Sequence, residues 1–102
     1  MRMMVFFDLP VQTAKERSAA ARFRSFLLKD GYYMLQYSVY VRLCNGLDNV
    51  TLHRARLKQA VPDNGSVRLM VVTEKQYESI DLLLGKVSAQ EEAQQVETLT
   101  LF

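Results

Sequence analysis

The sequence predicts an α+β domain built on an antiparallel sheet, and three observations predict it. Runs at residues 3–8, 32–43 and 66–73 are short and dense in Val, Met, Phe and Tyr, the length and composition of buried strands rather than helices. Stretches at 13–29 and 48–60 carry Ala, Leu, Arg and Lys with capping residues at their starts, which is a helix signal. Strand-type and helix-type segments alternate without any repeat of fixed period.

The first run ends in Asp8 and is broken by Leu9-Pro10, because proline cannot donate to a sheet ladder. Thr13 is an N-cap candidate, and Glu16 three residues on completes a capping box. At 100° per residue Ala19, Ala20, Phe23, Phe26 and Leu27 share one helix face. Lys15, Arg22 and Lys29 line one flank of that face, Arg17 and Arg24 the other, and Gly31 suits the helix end. Residues 32–43 read as one long strand or two meeting near Gln36-Tyr37. Asn45-Gly46 marks a turn, and Asp48 can cap a second helix to about Ala60. On that helix Leu47, Val50, Leu57 and Val61 are expected inward, with His53 solvated on its surface. Pro62 to Gly65 is a turn, 66–73 a strand, and Thr73 caps a short helix over 74–81, with a brief apolar strand at 82–84. The order β-α-β-β-α-β is the ferredoxin-like arrangement, with helices on one face of the sheet. The strands offer too little polar alternation for their other face to be freely solvated, so a homodimer through the sheet faces is expected. Residues 1–85 form this domain. Residues 86–102 are a tail whose last part, 97–102, alternates well enough to dock on a partner as an added strand.

At 102 residues, 49% of them hydrophobic, the chain can bury one core. Its apolar runs are too short to span a bilayer, and Asp8 and Pro10 interrupt the first where a signal-peptide cleavage site would fall. Cys44 is the only cysteine, which excludes an intrachain disulfide and a cysteine metal cluster and fits a cytoplasmic location. The net charge of +2 is uneven: 12 Lys/Arg face 8 Asp/Glu over residues 1–85, while the tail is acidic. That balance permits phosphate contacts without demanding them.

Glycine-rich phosphate loops and zinc-ligand spacings are absent from the sequence. Arg17, Arg22, Arg24 and Arg42 are the nucleic-acid-binding candidates, because guanidinium forks suit bidentate contacts to phosphate and would position a duplex without reading its sequence. A solvated helix face explains the same pattern for any one of them. Ser38 could contact a phosphate or simply fill a strand face, and Cys44 reads as structural. Acid and base groups are few, which argues against an efficient nuclease.

Several segments, FFDLP at 6–10, LQYSVYVR at 35–42, VRLMVVTEKQYE at 67–78 and LLLG at 82–85, resemble the CRISPR-associated protein 2 family in order and spacing. The resemblance covers residues 1–85. It implies a ferredoxin-like homodimer that sits between dimers of the CRISPR integrase subunit and supports foreign double-stranded DNA before insertion as a spacer. Some members are also credited with magnesium-dependent cleavage of single-stranded RNA or double-stranded DNA. The family's metal residue is the acid ending the first strand, here Asp8, which would serve both as Mg²⁺ ligand and as the catalytic candidate. One carboxylate is a poor site for Mg²⁺, but a nearby twofold axis would bring a second Asp8. The bland alternative is a turn-capping aspartate before Leu-Pro. A toxin-type RNA-cleaving protein or a small-ligand regulatory domain of the same fold are the competing functions.

Overall fold

A computed structural model describes residues 1–86 and contains β1 (Arg2–Asp8), α1 (Ala14–Lys29), β2 (Tyr33–Gln36), β3 (Val39–Leu43), α2 (Leu47–Ala60), β4 (Ser66–Val72) and α3 (Glu74–Glu78). The four strands form one sheet in the order β2-β3-β1-β4, every pair antiparallel. β1 is central, which is why its sequence is an unbroken apolar run: Met4 lies between Val41 on β3 and Met70 on β4, and only Asp8 at its end is exposed. The long middle run is two strands, joined through Tyr37 and Ser38.

Strand alternation divides the apolar residues between two faces. Met3, Val5 and Phe7 point to the layer where α1 and α2 lie, packing with Phe23, Leu27, Val50 and Leu57. Burial of each such side chain stabilises the fold by about 1.5–3 kcal/mol. Phe7 and Phe23 meet edge to face with centroids 5.2 Å apart. The two long helices thus cover one face, as the sequence predicts. On the other face Met4, Tyr33, Val41 and Val72 gather under Tyr77 of the short α3. Two of the three N-terminal caps that the sequence signals are formed: Thr13 with Glu16, and Thr73 with Gln76.

The residue that fastens α3 is Arg2, which is only 1% exposed. Its Nε donates to Glu74 Oε1 at 2.8 Å, its Nη2 to Glu74 Oε2 at 3.1 Å, and its Nη1 to Tyr33 Oη at 2.8 Å. Tyr33 Oη in turn lies 2.7 Å from Tyr77 Oη, and the guanidinium sits 4.3 Å from the Tyr77 ring centroid. Burial opposes the charge, but the bond to Glu74 and the fields of Tyr33, Glu74 and Tyr77 outweigh it and raise the Arg2 pKa above its ordinary value.

Several expectations change. His53 is 4% exposed rather than solvated, because Asp30, the C-cap of α1, meets it: His53 Nδ1 lies 2.7 Å from Asp30 Oδ2. Arg56 donates to the other carboxylate oxygen at 3.0 Å. Leu47 and Val61 lie at the ends of α2 and are exposed, since the core narrows there to Val50 and Leu57. Asp48 falls in the first turn of α2, and Gly46 is the N-cap. α3 stops at Glu78, and residues 82–84 are not a strand: Leu83 and Leu84 are 92% and 94% exposed. The docking strand read at 97–102 lies outside the described residues.

Candidate nucleic-acid interface

The end of β1 that carries Asp8 is the centre of the candidate site. Asp8 lies opposite Ser66 on β4, and Arg68, two residues further along β4, lies opposite Phe6. Antiparallel partners share a face, so Asp8, Ser66, Phe6 and Arg68 project from the same side of the sheet. Asp8 and Arg68 are exposed. The backbone beneath them is tight: a Cβ on Gly65 (φ +104°) would stand 2.7 Å from the Asp8 carbonyl oxygen. Glycine is required there by both the positive φ and the close approach.

The β2–β3 turn is tied to the same end. Phe7 N–H, one residue before Asp8, donates to the Ser38 carbonyl at 3.1 Å. Ser38 has φ 64°, the left-handed region that usually takes Gly or Asn, and it is the one non-glycine with positive φ among the described residues. Tyr37, beside it, is 76% exposed.

The four arginines separate. Arg24 reaches this end of the sheet: its Cζ lies 5.4 Å from the Tyr37 ring centroid and 5.7 Å from that of Phe7, and Nη2 donates to Tyr37 Oη at 3.3 Å. Arg22 is exposed on the other flank of α1, donating to Ser18 Oγ at 3.0 Å, above a cleft of about 490 Å³ between α1 and the loop after α2. Arg17 folds back on the loop before its own helix, donating to the Val11 and Gln12 carbonyls, both at 3.1 Å. Arg42 is half-buried and holds the corner after α1: Nε donates to the Asp30 carbonyl at 2.7 Å, and Nη1 to the Leu43 carbonyl at 2.8 Å and to Asn49 Oδ1 at 3.1 Å. Three acceptors inside the protein leave Arg42 little to offer a phosphate. Arg68 was not singled out in the sequence, although the pattern Val67-Arg68-Leu69 on a strand already signals an outward arginine two residues from Asp8's partner. Tyr37 falls where the sequence allows two strands to meet, but nothing local marks its ring as a site residue.

Could this end hold Mg²⁺? The Asp8 carboxylate is exposed and receives no hydrogen bond from another side chain among the described residues, so it is available as a ligand. No three His, Cys, Asp or Glu residues cluster as a metal site among the described residues. The donor set therefore fits Mg²⁺ only in the form in which one or two carboxylates bind alongside waters and substrate phosphates. A second copy of the chain would have to supply the second carboxylate.

The family model "CRISPR associated protein Cas2" matches residues 1–80. A protein of Acidovorax ebreus named CRISPR-associated endoribonuclease Cas2 is 49% identical over 102 residues, covering the whole of both chains. A protein of the same name from Campylobacter jejuni is 41% identical over all of this chain and 71% of its own length. The crystal structure of Streptococcus pyogenes Cas2 superposes with a TM-score of 0.61 over 81% of this chain and 99% of that one, at 19% identity, a likeness of fold.

Proposed function

The chain belongs to the CRISPR associated protein Cas2 family, and from that premise we propose that it is the nucleic-acid-binding subunit of CRISPR spacer acquisition. Two copies join about a twofold axis, sit with the CRISPR integrase subunit in the cytoplasm and support foreign double-stranded DNA before it is inserted as a spacer. The observation that carries this reading is the set of cations around one sheet end and one helix: Arg68 is exposed beside Asp8 on one sheet face, Arg24 lies half-buried against Phe7 on the helix side, and Arg22 is exposed on α1. None of the three is held by an acidic side chain among the described residues. Guanidinium groups placed this way neutralise phosphates without contacting base edges, which suits a support for DNA of arbitrary sequence.

Binding of this kind releases counterions, so affinity must fall linearly on a log–log plot against salt. Fluorescence anisotropy of a labelled duplex, with and without the integrase subunit, tests it. The double variant Arg22→Glu with Arg68→Glu is expected to lose most of the affinity and flatten the salt slope. Affinity that is salt-independent and untouched by this reversal would refute the reading.

A second reading, magnesium-dependent endonuclease activity on RNA or DNA, is favoured by the exposed and unpaired Asp8 and by the endoribonuclease name of the relatives. Asp8 of each copy would hold the ion, which when bound supplies Lewis-acid stabilisation of charge at a phosphodiester. Cleavage that requires Mg²⁺ and disappears in Asp8→Ala supports this second activity; cleavage that survives Asp8→Ala refutes it. The DNA-supporting role does not depend on the outcome, because spacer acquisition should persist in Asp8→Ala.

A further inference from the structure

We propose that Tyr37, backed by Arg24, is a stacking platform for one unpaired nucleobase beside the duplex-supporting surface, an inference that rests on the nucleic-acid reading above.

The geometry gives the ring a fixed position and one open face. Tyr37 occupies the tip of the turn between β2 and β3 and is 76% exposed. The Arg24 guanidinium lies over it at 5.4 Å from the centroid and donates to its hydroxyl at 3.3 Å, so the ring is held from one side and presented to solvent on the other. Arg24 is itself steadied against the Phe7 ring at 5.7 Å. The turn below is anchored by the bond from Phe7 N–H to the Ser38 carbonyl, and Ser38 holds a left-handed φ of 64°. Backbone strain retained at a non-glycine turn residue is a frequent mark of a functional position.

An exposed aromatic face beside a cation without an acidic partner supplies the two elements that bind single strands: a π surface for the base and a positive charge for its phosphate. Bases within a duplex already stack on their neighbours and cannot reach the ring. The platform therefore selects an unpaired base where a duplex ends or opens. The bond from Phe7, the residue before Asp8, to Ser38, the residue after Tyr37, puts that base at the same sheet end as the candidate carboxylate.

The test compares three labelled DNAs by anisotropy with the full chain: a blunt duplex, the same duplex with a single-stranded overhang of about six nucleotides, and the same overhang made abasic. The abasic strand keeps every phosphate and removes only the stacking partner. The wild type should bind the overhang roughly 5- to 150-fold more tightly than its abasic form, the range one stacked base supplies. Tyr37→Ala should abolish that preference, and Tyr37→Phe, which keeps the ring and drops the hydroxyl, should retain most of it. Equal affinity of the wild type for the base-bearing and abasic overhangs overturns the platform, independently of how any variant folds. So does a Tyr37→Ala protein that keeps the preference. If the wild type binds the blunt duplex in a salt-dependent way yet shows no overhang preference, the platform alone fails. Failure to bind all three DNAs removes the nucleic-acid reading with it.

Discussion

Replacing Glu74 by alanine removes a carboxylate that balances a buried cation. In the native protein Glu74 accepts from Arg2 Nε at 2.8 Å and from Nη2 at 3.1 Å, a bidentate pair, while Arg2 is 1% exposed. Breaking a buried ion pair by deleting one partner costs about 3–5 kcal/mol, because the other charge stays desolvated and unpaired. The Glu74 side chain is 24% exposed, so water can enter from its side once it is gone. The loss should therefore fall at the lower end, about 3 kcal/mol. For a domain of this size that corresponds to a fall in Tm of about 12–24 °C. Urea unfolding followed by circular dichroism reads it directly as a shift in midpoint at constant slope. The contrasting variant is Arg2→Met with Glu74→Leu, which removes both charges and keeps apolar bulk. Tyr33 and Tyr77 retain each other across 2.7 Å, so this double variant should recover most of the loss. A Glu74→Ala protein within about 1 kcal/mol of wild type, or a double variant less stable than the single one, would refute the claim that desolvated charge at Arg2 governs the docking of α3.

Two further outcomes follow from neighbouring features. Gly65→Ala brings a Cβ to 2.7 Å from the Asp8 carbonyl and 2.9 Å from Leu9 Cδ2 at a φ of +104°, whereas Gly46→Ala at φ +86° meets nothing within 4 Å. Gly46→Ala should show only the conformational cost of its φ +86°, ψ 178° backbone, about 1–3 kcal/mol, and Gly65→Ala distinctly more, in parallel urea titrations. Tyr32 has its phenol pKa raised by burial and by the nearby Asp30 and Cys44, against a smaller opposing effect of Arg42. Its contribution is full below the unfolded pKa of about 10 and is lost as pH climbs toward the higher folded value, since only the unfolded chain then ionises. Tyr32→Phe should flatten the alkaline loss of stability by up to about 1.4 kcal/mol per pH unit relative to wild type, measured by denaturant midpoints above pH 10.

The sheet and both long helices were legible because their signals are local. An unbroken apolar run such as 3–8 can be satisfied only in the middle of a sheet, and the pairs Thr13–Glu16 and Thr73–Gln76 announce helix starts within four residues. What escaped depends on contacts between distant positions. His53 reads as a surface histidine until Asp30, 23 residues earlier, is folded against it. Arg2 reads as a charge before a strand, and its partner Glu74 lies 72 residues away. Arg42 looks like a phosphate ligand in an alternating strand, but the corner at Asp30 and Gly31 engages its guanidinium. Within the candidate site, Asp8 was identifiable as a strand-end acid, while Tyr37 and Arg68 became part of it only once the register of β1 against β4 and the turn at Ser38 were known.

The position of β1 has a consequence for how the protein is made. β1 leaves the ribosome before both of its sheet partners yet takes the place between β3 and β4, and its Arg2 waits for an acid on the last described helix. Until β4 has emerged, the nascent chain carries an apolar strand with one open edge, and until residue 74 follows, Arg2 lacks its bond to Glu74. Synthesis that halts before α3 would release a polypeptide that leaves Met4, Val41 and Val72 uncovered, so premature termination before residue 74 should yield chains destined for aggregation or degradation.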